Sequence, residues 1–273
     1  MKFQLASDIH LENFFGFGAT SISYNHFEQK MLTILPPIKD TILLIAGDVT
    51  RVADNHHVYS LFLSYCSKNW YAAVIITGNH EYYTETTHAT IEQINAFIKG
   101  KVASNVAFLN DEALTIPNTN IVIYGGTLWS HIPTYNGKLS LNIDFPIYTD
   151  SYGKFTSSIY NKYHEHSVLK LVDVIRQVRE KNKMGENLKL VVLTHHTPTY
   201  EHIKLENRVP NERDPLYSTE LSHLTQKKYV DTWICGHTHS NYDLYKNHKE
   251  KTRIISNCQP LMKSFVKDLV LEL

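Results

Sequence analysis

Five short segments carry the residue types that could do chemistry: Asp8-Ile9-His10, Gly47-Asp48, Gly78-Asn79-His80-Glu81, His195-His196 and Gly236-His237-Thr238-His239. Together they offer carboxylate and amide oxygens and imidazole nitrogens, a mixed donor set suited to Mn, Fe, Zn, Ni or Co rather than Mg or Ca. Asp48 has two oxygens that could bridge a pair of cations, and the preceding Gly47 lets the backbone turn tightly beneath it. His237 and His239 alternate about one residue, a stronger ligand signature than a lone histidine. The pattern therefore reads as a two-cation site. Taken singly, Asp48 or Gly-Asn-His is as readily an ordinary turn sequence. It is the joint occurrence, each time after an apolar run, that sets the bland reading aside.

Those runs must position the ligands. Phe3 to Ala6, Ile42 to Ala46, Val74 to Ile76, Leu190 to Leu193 and Trp233 to Cys235 are short and rich in β-branched or aromatic residues, as buried strands are. In open α/β sheets ligands gather beyond the carboxyl ends of strands, so five such ends are expected to converge on one crevice. Helices are predicted near Tyr24 to Leu35, His57 to Ser67 and Thr87 to Lys99, giving successive βαβ units. From Val106 on, Val106 to Leu109, Ala113 to Ile116 and Ile121 to Tyr124 are separated by turns, which predicts a second, more antiparallel sheet. A long helix over Ser157 to Lys181 follows, then a strand near Leu188 to Leu193 with the first-sheet pattern. Further strands are expected around Tyr242 to Tyr245, Arg253 to Ile255 and Leu269 to Leu273. Residues 129–156 and 200–218 fit no regular element and are read as walls of a substrate cleft, because loops of this length are usually functional or disordered.

At 273 residues and 31.5 kDa, one domain over residues 1–273 is expected. Lys and Arg (27) balance Asp and Glu (27), which argues against a nucleic-acid or anionic-membrane partner. The cysteines Cys66, Cys235 and Cys258 are widely spaced with no CxxC, so neither a disulfide framework nor a thiolate zinc site is expected. No apolar stretch approaches the ~20 residues that span a bilayer. A cytoplasmic protein is the expectation.

The set Asp8-x-His10, Gly47-Asp48, Gly78-Asn79-His80-Glu81, His195-His196 and Gly236-His237-x-His239 resembles the calcineurin-like metallophosphoesterase superfamily. The resemblance implies an α/β fold, a four-layer α/β/β/α sandwich of two mixed sheets with helices outside and a dinuclear metal site at the strand ends. It implies one metal held by Asp8, His10, Asp48 and His239 and the other by Asp48, Asn79, His195 and His237, with Asp48 bridging. His80 would face the leaving group, and a metal-bridging hydroxide would attack the phosphoester. Adjacent strand residues point opposite ways, so the ligand role goes to His195, and His196 is left as a substrate-contact or supporting candidate. Phosphoprotein phosphatases place an Asp three residues after the bridging Asp. Here the stretch reads Asp48-Val49-Thr50-Arg51-Val52, which puts protein phosphatase activity in doubt and leaves Glu81 or water to orient His80, with Arg51 as a candidate phosphate contact. Gly125 to Ser130 and Asn142 to Phe145 resemble a bacterial-type branch of predicted phosphoesterases. The implied activity is hydrolysis of a small phosphoester, with phosphodiesters favoured. An idle metal-binding scaffold of the same fold is the first rival, disfavoured because His80 and all seven ligand positions are filled. A nuclease is the second, disfavoured by the balanced charge.

Overall fold

A computed structural model describes residues 1–84, 87–133, 146–205, 207–258, 266 and 269–272. The chain alternates strands and helices from its start: β1 (Lys2–Ala6), α1 (Glu12–Phe15), α2 (Tyr24–Ile34), β2 (Ile42–Ala46), α3 (His56–Asn69), β3 (Ala72–Ile76), α4 (Ile91–Lys99) and β4 (Val106–Phe108). Then follow β5 (Glu112–Thr115), β6 (Ile121–Gly126), the small hairpin β7 (Tyr148–Thr149) and β8 (Gly153–Lys154), and the long α5 (Ser157–Lys183). The remainder is β9 (Lys189–Thr194), the single turn α6 (His202–Leu205), β10 (Thr232–Cys235), β11 (Tyr242–Leu244), β12 (Arg253–Ser256) and β13 (Val270–Glu272).

Two mixed sheets result, ordered β13-β1-β2-β3-β4 and β11-β12-β10-β9-β6-β5. Period-two alternation sorts their side chains into layers. Phe3, Leu5, Ile42, Leu44, Val74 and Ile76 of the first sheet face Ile121, Ile123, Val191, Leu193, Ile234 and Ile255 of the second. The alternate residues Leu43, Ile45, Ala73 and Ile75 pack under Phe27 and Met31 of α2, Phe62 of α3 and Ile94 of α4. On the far side, Val122, Leu190, Val192 and Trp233 pack under Leu171, Ile175 and Val178 of α5. This is the expected four-layer α/β/β/α sandwich.

Four details differ from the sequence expectation. Val106–Phe108 does not open the second sheet: β4 pairs parallel with β3 and completes the first. The second sheet is not chiefly antiparallel, since β6, β9, β10 and β12 run parallel to one another and only the edge strands β5 and β11 are antiparallel. The β9 run accordingly belongs to the second sheet, and the crevice lies across the carboxyl ends of two sheets rather than one. Of β4, β5 and β6, only β5 and β6 pair as a hairpin. Helix α4 begins later than Thr87 because Thr90 and Gln93 form a reciprocal capping box that fixes the first turn there. All three cysteines are buried and free. Among the described residues no helix is long and apolar enough to cross a membrane.

Candidate metal centre

The residues named from sequence lie just past β1, β2, β3, β9 and β10, and the backbone there is unusual. Asp8 (φ 53°), His10 (48°), Asp48 (56°), His237 (67°) and His239 (53°) all adopt the left-handed conformation that non-glycine residues avoid. Each such residue costs on the order of 1–2 kcal/mol, so five at one place must be held by their surroundings. The holding bonds are present. Asp8 N–H donates to Gly47 O (3.0 Å), His10 N–H to Asp48 O (3.1 Å), and Gly236 N–H to His195 O (2.9 Å). His237 N–H donates to the Asp8 carboxylate (3.0 Å to each oxygen), and His80 N–H to Asp48 Oδ1 (2.9 Å). Gly78 is required by contact: a Cβ there would overlap Asp48 Oδ1 and stand 2.7 Å from His195 Cε1.

The side chains converge with an excess of acceptors. His195 Nδ1 lies 2.7 Å from Ala46 O and His237 Nε2 lies 3.2 Å from Leu216 O; a carbonyl can only accept, so each of those nitrogens carries its proton. The opposite nitrogens point inward, His195 Nε2 at 3.1 Å from His237 Nδ1, 3.0 Å from Asn79 Oδ1 and 3.2 Å from Asp48 Oδ2. Asn79 is oriented by its own amide, which donates to Tyr83 Oη (2.8 Å) and leaves Oδ1 facing inward. A second group adjoins the first: His10 Nε2 is 3.1 Å from His239 Nε2, which is 3.3 Å from Asp8 Oδ1. Asp8, Asp48, His195 and His237 place ligand atoms within 4.8 Å of one another, as do Asp8, His10 and His239, and His10, Asp48 and His80. Buried Asp48 Oδ2 stands between these groups and accepts no well-aligned hydrogen bond. Such a convergence of ring nitrogens and carboxylate oxygens, which only protons on the rings would otherwise reconcile, is what a pair of cations would satisfy.

The titration of the cluster carries the same message. Burial opposes protonation of His10, yet the Glu12 hydrogen bond and the Asp48 and Asp8 charges outweigh it and raise the ring to about 9. Burial likewise opposes the charged form of His195, and Asp48 with Asp8 raise it to about 9. Burial and the neighbouring His195 depress His237 to about 3. Burial would raise Asp48, but the imidazoles His195 and His80 hold it well below the carboxylate range. The negative centre draws in positive charge, as protons when nothing else is bound.

Sequence reasoning missed Glu12. It opens α1, is buried, and its Oε1 lies 3.2 Å from His10 Nδ1 and 3.1 Å from His80 Nδ1. Glu81, expected to orient His80, does something else: its carboxylate accepts N–H bonds from Asp48 (3.0 Å), Val49 (2.6 Å) and Gly78 (2.6 Å) and ties the β2 and β3 loops together. Burial and the Asp48 charge push Glu81 up to about 8 against those bonds.

The two candidate substrate contacts, His196 and Arg51, do not face the centre. His196 is fully buried behind His237, ring centroids 4.3 Å apart, with Nε2 2.8 Å from Tyr160 Oη, so it supports the ligand and has no surface to offer a substrate. Arg51 is also buried, its guanidinium 4.7 Å from the Phe17 ring. Of the expected walls, residues 200–218 reach the site through Leu216 O and through Tyr217, whose ring is 5.0 Å from that of His237. Residues 134–145 of the other wall, including Asn142 to Phe145, lie outside the described residues.

The chain belongs to the calcineurin-like phosphoesterase family, whose model matches residues 1–241. It is a metal-dependent phosphoesterase, and the acceptor cluster fits the dinuclear site of that class. Two solved structures share the fold. A phosphopantetheinyl hydrolase from Mycobacterium tuberculosis is 14% identical, with a TM-score of 0.58 over 94% of this chain and 89% of that one. The protein TT1561 of Thermus thermophilus is 10% identical, with a TM-score of 0.53 over 94% of this chain and 88% of that one. No curated protein matches by sequence.

Proposed function

We propose that this single domain hydrolyses small phosphodiesters in preference to monoesters, at a site in which Asp8, His10, Asp48 and His239 hold one cation and Asp48, Asn79, His195 and His237 the other. Mn, Fe or Zn suit the donor set best, with Ni and Co next. When bound, such a pair lowers the pKa of a shared water and neutralises phosphoryl oxygens during in-line displacement. The chain supplies the rest. Asp48 lies between both groups, the Ala46 and Leu216 carbonyls fix the ligand tautomers of His195 and His237, and His80, 23% exposed, turns Nε2 toward the centre as the proton donor to the leaving oxygen.

The observation that carries the assignment is the convergence of lone pairs on unsatisfied Asp48 Oδ2. The diester preference is supported by where Arg51 of the Asp48 loop and Arg208 of the 200–218 wall are spent. A monoester brings an extra negative charge that a cationic side chain would ordinarily meet. Arg51 is stacked on Phe17, and Arg208 is paired with Asp214 at 2.6 Å. The test is to reconstitute the protein with defined metals, count the ions and compare matched nitrophenyl diester and monoester substrates. Two ions per chain, diester kcat/KM at least equal to monoester, and less than about a threefold effect of Arg51→Ala on the diester are expected. A tenfold monoester preference, about 1.4 kcal/mol, would overturn the diester assignment, and activity indifferent to chelation would overturn the site.

A further inference from the structure

Glu12 is buried beside the centre and yet contributes no inward-facing ligand atom to it. Its Oε1 receives two ring nitrogens, His10 Nδ1 at 3.2 Å and His80 Nδ1 at 3.1 Å, while buried Oε2 has no hydrogen-bond partner. The His10 and His80 rings meet edge to face with centroids 4.3 Å apart, so one carboxylate oxygen serves both. A carboxylate oxygen can only accept, and both Nδ1 atoms must therefore carry hydrogen. The Nε2 atoms are consequently the ones that look inward, His10 Nε2 at 3.9 Å and His80 Nε2 at 4.0 Å from Asp48 Oδ2.

We infer that Glu12 is a positioning residue that fixes the ring orientation and Nδ1–H tautomer of His10 and His80 together, tying the geometry of a metal ligand to that of the leaving-group donor. The inference rests on the proposed roles of those two histidines. Without Glu12 each ring can turn over or exchange tautomer. An inward N–H on His10 would then face the cation position, and His80 would no longer hold Nε2 toward the leaving group, the nitrogen on which its acid form, with hydrogen already on Nδ1, carries the proton it gives up. The two failures differ in kind, since one lowers metal affinity and the other lowers turnover. No other acidic side chain among the described residues takes this position, because Glu81 is committed to the backbone of Asp48, Val49 and Gly78. The arrangement also supplies what the sequence Asp48-Val49-Thr50-Arg51 lacks: the acid comes from the β1 side of the crevice rather than from the β2 loop.

The test compares Glu12→Ala, which removes the acceptor, with Glu12→Gln, whose amide oxygen can still accept both N–H groups. Long-range proton–nitrogen spectra of the histidine rings read the tautomer of His80 in chelator-treated and zinc-loaded protein, with the His80 signal identified by its loss in His80→Asn. Wild type and Glu12→Gln should show His80 with hydrogen on Nδ1, and Glu12→Ala should show Nε2–H or an exchanging mixture. Glu12→Ala should lower metal affinity or kcat on an unactivated ester by about 10–100-fold, the usual range for a group that orients a ligand. KM should move by less than about threefold, and Glu12→Gln should recover most of the loss. An unchanged His80 tautomer in Glu12→Ala overturns the inference, as does a Glu12→Gln variant as impaired as Glu12→Ala. Should Glu12→Ala not fold, Glu12→Leu fills the same space without an acceptor and gives the same comparison. Wild-type protein without metal-dependent hydrolysis would refute the proposed function instead, while the tautomer readout would still decide the role of Glu12.

Discussion

Cation binding by this chain should expel protons above neutral pH, in a number set chiefly by His10 and His195, with up to about half a proton more from Glu81 at pH 8. Both rings are raised to about 9 by the carboxylates around them, so in the cation-free protein at pH 8 each is about 0.9 protonated. Both turn Nε2 inward, and that nitrogen must lose its proton to act as a ligand. Filling the site at pH 8 should therefore release about 1.8 protons from these two rings, whereas rings at the ordinary value of about 6.5 would release less than about 0.1. Ionisation of a bound water can add at most about one more. Around pH 8 the product of the two association constants should fall about 60-fold per unit drop in pH, about 2.5 kcal/mol, approaching about 100-fold per unit as both rings become fully protonated. Calorimetric titration of chelator-treated protein with zinc, in buffers of differing ionisation enthalpy, counts the protons directly. One proton or fewer would refute the charge assignment, because water alone could supply that. The same shifts fix a stability trend. A group whose pKa is raised on folding stabilises fully below its unfolded value and loses that contribution as pH rises through the folded one. His10 and His195 therefore make the cation-free protein less thermally stable between pH 7 and about 9.5, and Glu81, raised to about 8, acts in the same direction.

Asp48→Asn keeps the side-chain shape and the Oδ1 acceptor for His80 N–H but removes the charge shared by the two groups; metal analysis should find at most one tightly held ion, with kcat reduced by at least about 100-fold. Retention of two ions with near wild-type turnover would count against the bridging role. His80→Ala should leave metal content unchanged and lower kcat about 10²–10⁴-fold on an unactivated ester, with a smaller loss for a nitrophenyl leaving group. Equal losses on both substrates would remove the proton-donor assignment.

What the sequence made legible follows from how the site is built. Every proposed ligand sits within four residues after a buried strand, and strand ends are marked by a switch from apolar runs to Asp, Asn, His and Gly that a reader can see. The partition of strands between sheets is marked less plainly. Both sheets are buried on both faces, so β4 and β9 have the same apolar run whichever sheet they join, and pairing partner is a tertiary choice. Glu12 was hidden for a different reason. An acid opening a helical turn is ordinary on electrostatic grounds, and nothing in Asp8-Ile9-His10-Leu11-Glu12 says that His80, 68 residues on, will fold back onto its Oε1.

The contrast between Glu12 and Glu81 shows what spacing alone can mislead about. Glu81 is adjacent to His80 in sequence and was the natural choice to orient it, but neighbours on a tight turn diverge: the His80 ring turns to the crevice while the Glu81 carboxylate turns under it, to three backbone N–H groups. Those bonds join the Gly47-Asp48 loop to the Gly78-Asn79 loop, so Glu81 determines where Asp48 and Asn79 stand relative to each other. The two acids thus divide one task by direction. Glu81 sets the backbone beneath the ligands, and Glu12 sets the rings above it. Of the left-handed ligand residues, Asp48 is thus braced from beneath by Glu81 and His10 from above by Glu12, while Asp8 and His237 are held by the Gly47 carbonyl and the Asp8 carboxylate.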